Sequence, residues 1–164
     1  MPAGNTYEAI ATQTVGSGVT TVTFSSISSS YTDLFIVVNA SLTAPDSNLN
    51  YRFNGDTGNN YSYTSLSGSG SAASSTRASN NSFGRFDNFG YLDTTMSTHT
   101  IQVMNYANTT TNKTTLSRGN NSANGTSAAV NLWRSTAAVN SISLISGVTF
   151  VSGSTFSLYG IKAA

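Results

Sequence analysis

The side chains able to do chemistry are few and widely separated. His99 is the single histidine. A general base needs a nucleophile beside it and an orienting carboxylate, and no such partner is marked by spacing. Its place in an alternating segment reads instead as a partly buried or interface residue. The acids are Glu8, Asp33, Asp46, Asp56, Asp87 and Asp93. None pairs with another at a spacing that would set two carboxyls across one sugar, as glycoside hydrolysis requires. Asn54-Gly-Asp-Thr-Gly-Asn59 places oxygen ligands at alternate positions, yet it carries one carboxylate and lacks the distal Glu of a calcium loop. It reads as a turn closed by Asx hydrogen bonds. Gly68 and Gly70 are followed by neither Lys-Ser/Thr nor a helix, so they make no phosphate loop. With no Cys, disulfides, thiolate chemistry and zinc fingers are excluded. The expectation is a chain that is not an enzyme and takes no cofactor or metal.

Charge narrows the partners. The net charge is +1, and Arg52, Arg77, Arg85, Arg118, Arg134, Lys113 and Lys162 stand apart along the chain. A nucleic-acid surface gathers Lys and Arg into a stripe that displaces phosphate counterions, so no nucleic acid is expected. No apolar run approaches the roughly 20 residues that span a bilayer, and Met1–Gly18 has neither the basic nor the apolar region of a signal peptide. No membrane partner is therefore expected. Asn39, Asn60, Asn80 and Asn112 begin glycosylation triplets, which chance supplies in so Asn- and Ser-rich a chain. Tyr51, Tyr61 and Tyr63 offer aromatic faces either for a glycan or for core and interface packing.

The elements that must position these residues are strands. Roughly 70 of the 164 residues are Ser, Thr or Asn, while 8% are charged. Those residue types favour strands, turns and side-chain-to-backbone bonds over helix interiors. Eight Tyr and eight Phe supply buried area enough for a folded domain. Strands are expected at Val19–Phe24, Leu34–Val38, Leu49–Phe53, His99–Met104, Thr114–Arg118, Val130–Trp133, Ile142–Ile145, Val148–Val151 and Phe156–Ile161. The apolar run 34–38 suggests a strand buried on both faces. Pro45-Asp46-Ser47 is a turn, Met1–Gly18 an N-terminal arm, and Asn59–Ser82 one long loop. Phe83, Phe86, Phe89 and Tyr91 form an aromatic segment that Gly84 and Gly90 allow to bend. The fold class is all-β: one antiparallel β-sandwich domain over 19–164, jelly-roll-like, with eight or nine strands and long polar loops. So few charges leave its edges unprotected and predict an oligomer or a large assembly that covers them.

Three segments carry a resemblance. Tyr31-Thr-Asp-Leu-Phe-Ile-Val-Val38, then Tyr51-Arg-Phe-Asn-Gly-Asp-Thr-Gly58 with Asn60-Tyr61, then Ser154-Thr-Phe-Ser-Leu-Tyr-Gly-Ile161 together resemble small virion proteins of tailed bacteriophages. The resemblance spans about 19–161 and carries no catalytic residue across. It implies a jelly-roll domain on the virion, made in the host bacterial cytoplasm. The expected role is a capsid decoration, or cement, protein, homotrimeric and bound to the major capsid protein. The alternative is a tail-fibre or head-fibre domain that binds a host receptor or glycan. Tyr7, Tyr61, Tyr63, Arg77 and Arg85 are the expected contact residues, because Tyr and Arg anchor interfaces.

Overall fold

The computed structural model describes residues 6–45, 48–86 and 92–162. Asp46 and Ser47 of the expected turn lie outside the described residues, as do Asp87, Phe89, Gly90 and Tyr91 of the aromatic segment. The described chain is all-β, with 12 strands. In chain order they are β1 (Tyr7–Thr14), β2 (Thr21–Phe24), β3 (Asp33–Ala40), β4 (Asn50–Phe53), β5 (Tyr61–Gly68) and β6 (Ala73–Asn81). There follow β7 (Gly84–Arg85), β8 (Ser97–Met104), β9 (Lys113–Asn121), β10 (Gly125–Trp133), β11 (Ile142–Ile145) and β12 (Thr155–Ile161). They form an eight-stranded sheet in the order β1-β12-β3-β8-β9-β10-β5-β6 and a four-stranded sheet in the order β2-β11-β4-β7. Each pairing is antiparallel. The architecture is a β-sandwich whose sheets differ two-fold in strand number.

Side-chain alternation explains how the layers meet. Leu34, Ile36, Val38 and Ala40 of β3 point inward with Ile101 and Val103 of β8 and Phe156 and Leu158 of β12. Facing them are Val22 and Phe24 of β2, Ile142 and Leu144 of β11, and Tyr51 and Phe53 of β4. Aromatic edges interlock in this layer: Tyr51 meets Phe53, Tyr61 and Phe86 at centroid distances of 4.8, 6.2 and 5.9 Å. Gly84 is required here, since a Cβ on it would overlap the Tyr51 ring.

Four expectations change. First, β3 is buried on one face only, with Phe35 and Val37 half-buried on the other; its apolar run continues onto the outer face, where Tyr7 packs edge-on against Phe35 at 5.9 Å. Second, within the segment 1–18 read as an arm, residues 7–14 form β1 and pair with β12. Weak alternation hid that strand, because its half-buried positions are interrupted by a bulge between Ala9 and Ala11. Third, the segment 59–82 read as a loop is a hairpin, β5 and β6, turned at 69–72. Ser and Gly conceal its alternation, although Tyr61, Tyr63 and Ser65 are buried in turn. Fourth, Val148–Val151 is not a strand; Phe150 makes one isolated bridge with Leu42. The described residues therefore hold 12 strands where eight or nine were expected.

Candidate binding surface

The large sheet has an inner face of two chemistries. Over β12, β3 and half of β8 it is apolar. Beyond that, Ser97, His99, Thr115, Ser117, Asn121, Ser127, Asn131 and Ser65 are all buried. The edge of the small sheet, the two-residue β7, and the residue after it lie against this region. Buried polar groups need partners, and Asn131 and Ser117 find theirs in backbone. Asn131 accepts from the Arg85 N–H through Oδ1 at 2.9 Å and donates from Nδ2 to the Arg85 carbonyl at 3.0 Å. One amide side chain thus imitates a neighbouring strand. Ser117 Oγ donates to the Phe86 carbonyl at 2.7 Å, and Tyr51 and Thr115 hydroxyls are 2.9 Å apart. His99 stacks edge-on with Phe86 at 6.4 Å and lies 3.0 Å from Ser97 Oγ through Nε2. This single histidine is wholly buried, within the core.

The Asn54–Asn60 turn is closed by one carboxylate. Asp56 accepts from the Gly58 N–H at 2.8 Å, the Asn60 amide at 2.9 Å and the Trp133 indole N–H at 2.6 Å. Burial opposes its ionisation, but these three donors outweigh it and hold the carboxyl below the usual range. Asn54 and Gly55 take positive φ of 53° and 67°, as the turn requires. Asn54 then ties the turn to the loop after β10, donating to the Ala138 carbonyl and accepting from the N–H of Asn140 and Ser141. The oxygen-rich motif is thus a structural joint. Among the described residues, no group of three His, Cys, Asp or Glu is placed to hold a metal.

Nothing in the sequence marks Lys113 as an inward-facing residue. It is wholly buried at the start of β9, and its Nζ donates to the carbonyls of Thr111 at 2.8 Å and Thr136 at 3.2 Å. Burial pushes its pKa down. Its inward direction was hidden because a lone lysine in a polar segment looks like surface.

The outer face of the large sheet is where a partner can reach. Leu66 of β5, Val130 of β10 and Leu116 of β9 are 60%, 54% and 45% exposed. Register places Leu66 opposite Ala128 and Val130 opposite both Thr64 and Leu116, so the three make one diagonal apolar patch across adjacent strands. Thr64, Thr114, Thr126 and Arg118 surround it. An open groove of about 640 Å³ runs alongside, with Arg77, Ser62, Thr64 and Leu132 among its lining residues.

The expected contact residues separate on this frame. Tyr7 is exposed on β1, and Arg77 is exposed on β6 beside the groove. Tyr61 is fully buried and stacked on Trp133, with its hydroxyl accepting the Phe53 N–H at 3.0 Å. Tyr63 is 7% exposed. Arg85 is half-buried, its guanidinium lying over the rings of Tyr63 and Phe83 at 5.5 and 5.2 Å. Two of the five, Tyr7 and Arg77, are thus exposed. The apolar trio Leu66, Leu116 and Val130 was missed, since each sits alone among polar residues and only strand pairing brings them together.

No family model matches this chain, and no curated protein matches it. Among solved structures it is similar to the crystal structure of a protein of unknown function from Shewanella oneidensis MR-1. That alignment has a TM-score of 0.26 and 9% identity, covering 100% of this chain and 82% of that one.

Proposed function

We propose that this chain is a structural protein of a tailed-bacteriophage virion, a capsid decoration protein that bridges major capsid subunits. The observation that carries the reading is the outward apolar patch of Leu66, Leu116 and Val130, three exposed side chains brought together on adjacent strands. Exposed apolar area rimmed by polar residues marks a protein contact. A rigid sheet holds that patch flat, which suits a broad capsid surface better than a ligand cleft. The resemblance of its three segments to small virion proteins supplies the kind of partner. Many copies, each making one modest contact, sum to a strong brace through multivalency.

The test is co-sedimentation of purified protein with capsids that lack it. Leu66→Ser and Val130→Ser together should abolish attachment while changing stability by no more than about 1 kcal/mol. Full attachment by that double variant would overturn the proposed contact.

A second reading, a fibre domain binding a host glycan, draws on the groove beside Arg77, which offers Ser62, Thr64 and Ser79 hydroxyls. The groove's aromatic, Tyr63, is nearly buried and gives a sugar ring no face to stack on. Binding of purified protein to host polysaccharide, lost in Arg77→Ala, would favour this reading over the first.

A further inference from the structure

We propose that β6 joins two copies of this chain, edge to edge and antiparallel, about a two-fold axis perpendicular to the large sheet. Every sheet end presents unpaired N–H and C=O groups that another strand can complete, and proteins usually blunt such edges. Among the described residues, three of the four sheet edges are blunted. The small sheet ends in β2, of four residues, and β7, of two. The large sheet ends on one side in β1, which is broken by its bulge and carries Glu8, ion-paired with Lys162. On the other side it ends in β6, nine residues long, with no proline, no acid and Arg77 as its single charge. Its one irregularity lies opposite Tyr61–Tyr63, so Ala73–Ala78 runs in unbroken register along β5.

The side chains of β6 fit its own copy. Ala73, Ser74, Ser75, Thr76 and Ala78 are small and uncharged, so none of them selects a foreign strand by size or charge. Antiparallel pairs elsewhere in this chain already use hydroxyl-to-hydroxyl contacts across strands: Thr12 with Ser157 and Thr23 with Ser143, each at 3.0 Å. Self-pairing of β6 repeats that chemistry. Charge permits it too, because a lone Arg77 faces its own copy only in the register centred on it. Self-pairing closes after two copies, whereas β6 laid on β1 would continue head to tail. It would also meet the bulge, and Glu8 is already engaged by Lys162 and Tyr31. A three-fold arrangement, which the resemblance implies, cannot come from one strand pairing with itself.

The pairing does not depend on the virion reading. It has a consequence for it, since both outer patches then lie on the same side of one continuous sheet. A dimer would grip a partner at two points.

Sedimentation velocity over a range of protein concentrations tests the proposal, with hydrogen exchange across 73–78 measured at the two extremes. The expected result is a dimer, with exchange in 73–78 slowing as it forms. Ser75→Lys and, separately, Ser74→Lys add a cation to the joint and should weaken dimerisation by at least about tenfold. Leu66→Ser, one strand further in, should leave it intact. A monomer throughout, a trimer, or a dimer unmoved by both lysine variants would overturn it. The exchange measurement uses the unaltered chain, so it decides the matter even if a variant fails to fold.

Discussion

Asp56 and Asn131 show how few side chains fix the geometry of this sandwich. Asp56 gathers three donors, and hydrogen bonds to an ionised group contribute about 1.5–3 kcal/mol each at most. Asp56→Ala is expected to lower stability by about 2–4 kcal/mol, read from urea unfolding followed by Trp133 fluorescence. The sign of its pH dependence follows from its lowered folded-state pKa. Its contribution is fully present above the unfolded value, about 3.9, and is lost as pH falls through the lower folded value. Acid titration of wild type should therefore cost more stability below about pH 4 than titration of Asp56→Asn. Asn131→Ala removes the partner of the Arg85 N–H and the closer of two side-chain donors to the Arg85 carbonyl, part-buried groups at about 1–3 kcal/mol each. The expected loss is about 2–4 kcal/mol, checked by the same unfolding curve. Neither role was legible from sequence. Asp56 could be placed in a turn by its Asn, Gly and Thr neighbours, but the indole that donates to it lies 77 residues away.

At the scale of elements, sequence succeeded where apolar and polar residues alternate. Leu49–Phe53, His99–Met104, Ile142–Ile145 and Phe156–Ile161 all lie within or on strands of the sandwich. It failed where serine fills both faces. β5 and β6 were invisible because Ser65 is buried while Leu66 beside it is exposed, which inverts the usual pattern. The polar inner face has the same cause: crossing backbone, rather than apolar side chains, lies against Ser117 and Asn131. Where backbone must approach so closely, glycine becomes obligatory. Gly84→Ala would drive a methyl into the Tyr51 ring and should cost about 1–3 kcal/mol, measurable as a lowered Tm. Leu66→Ser and Val130→Ser, by contrast, lie on the solvent face and should each change stability by no more than about 0.5 kcal/mol.

For the whole molecule, the central claim is that a rigid, weakly charged sandwich serves as a surface. Its fold class could be read from composition, because a chain so rich in Ser, Thr and Asn has little else to build with than strands and turns. Its outward apolar patch could not, because Leu66, Leu116 and Val130 come from three strands and meet only through register. Tyr7 and Arg77 remain the expected contact residues that face outward, whereas Tyr61 belongs to the core. The most direct measurement of the claim is the copy number of this protein in purified virions, by quantitative mass spectrometry against the major capsid protein. The account predicts one copy per capsid subunit, or one per few subunits, spread over the shell. A handful of copies per particle, or none, would contradict it.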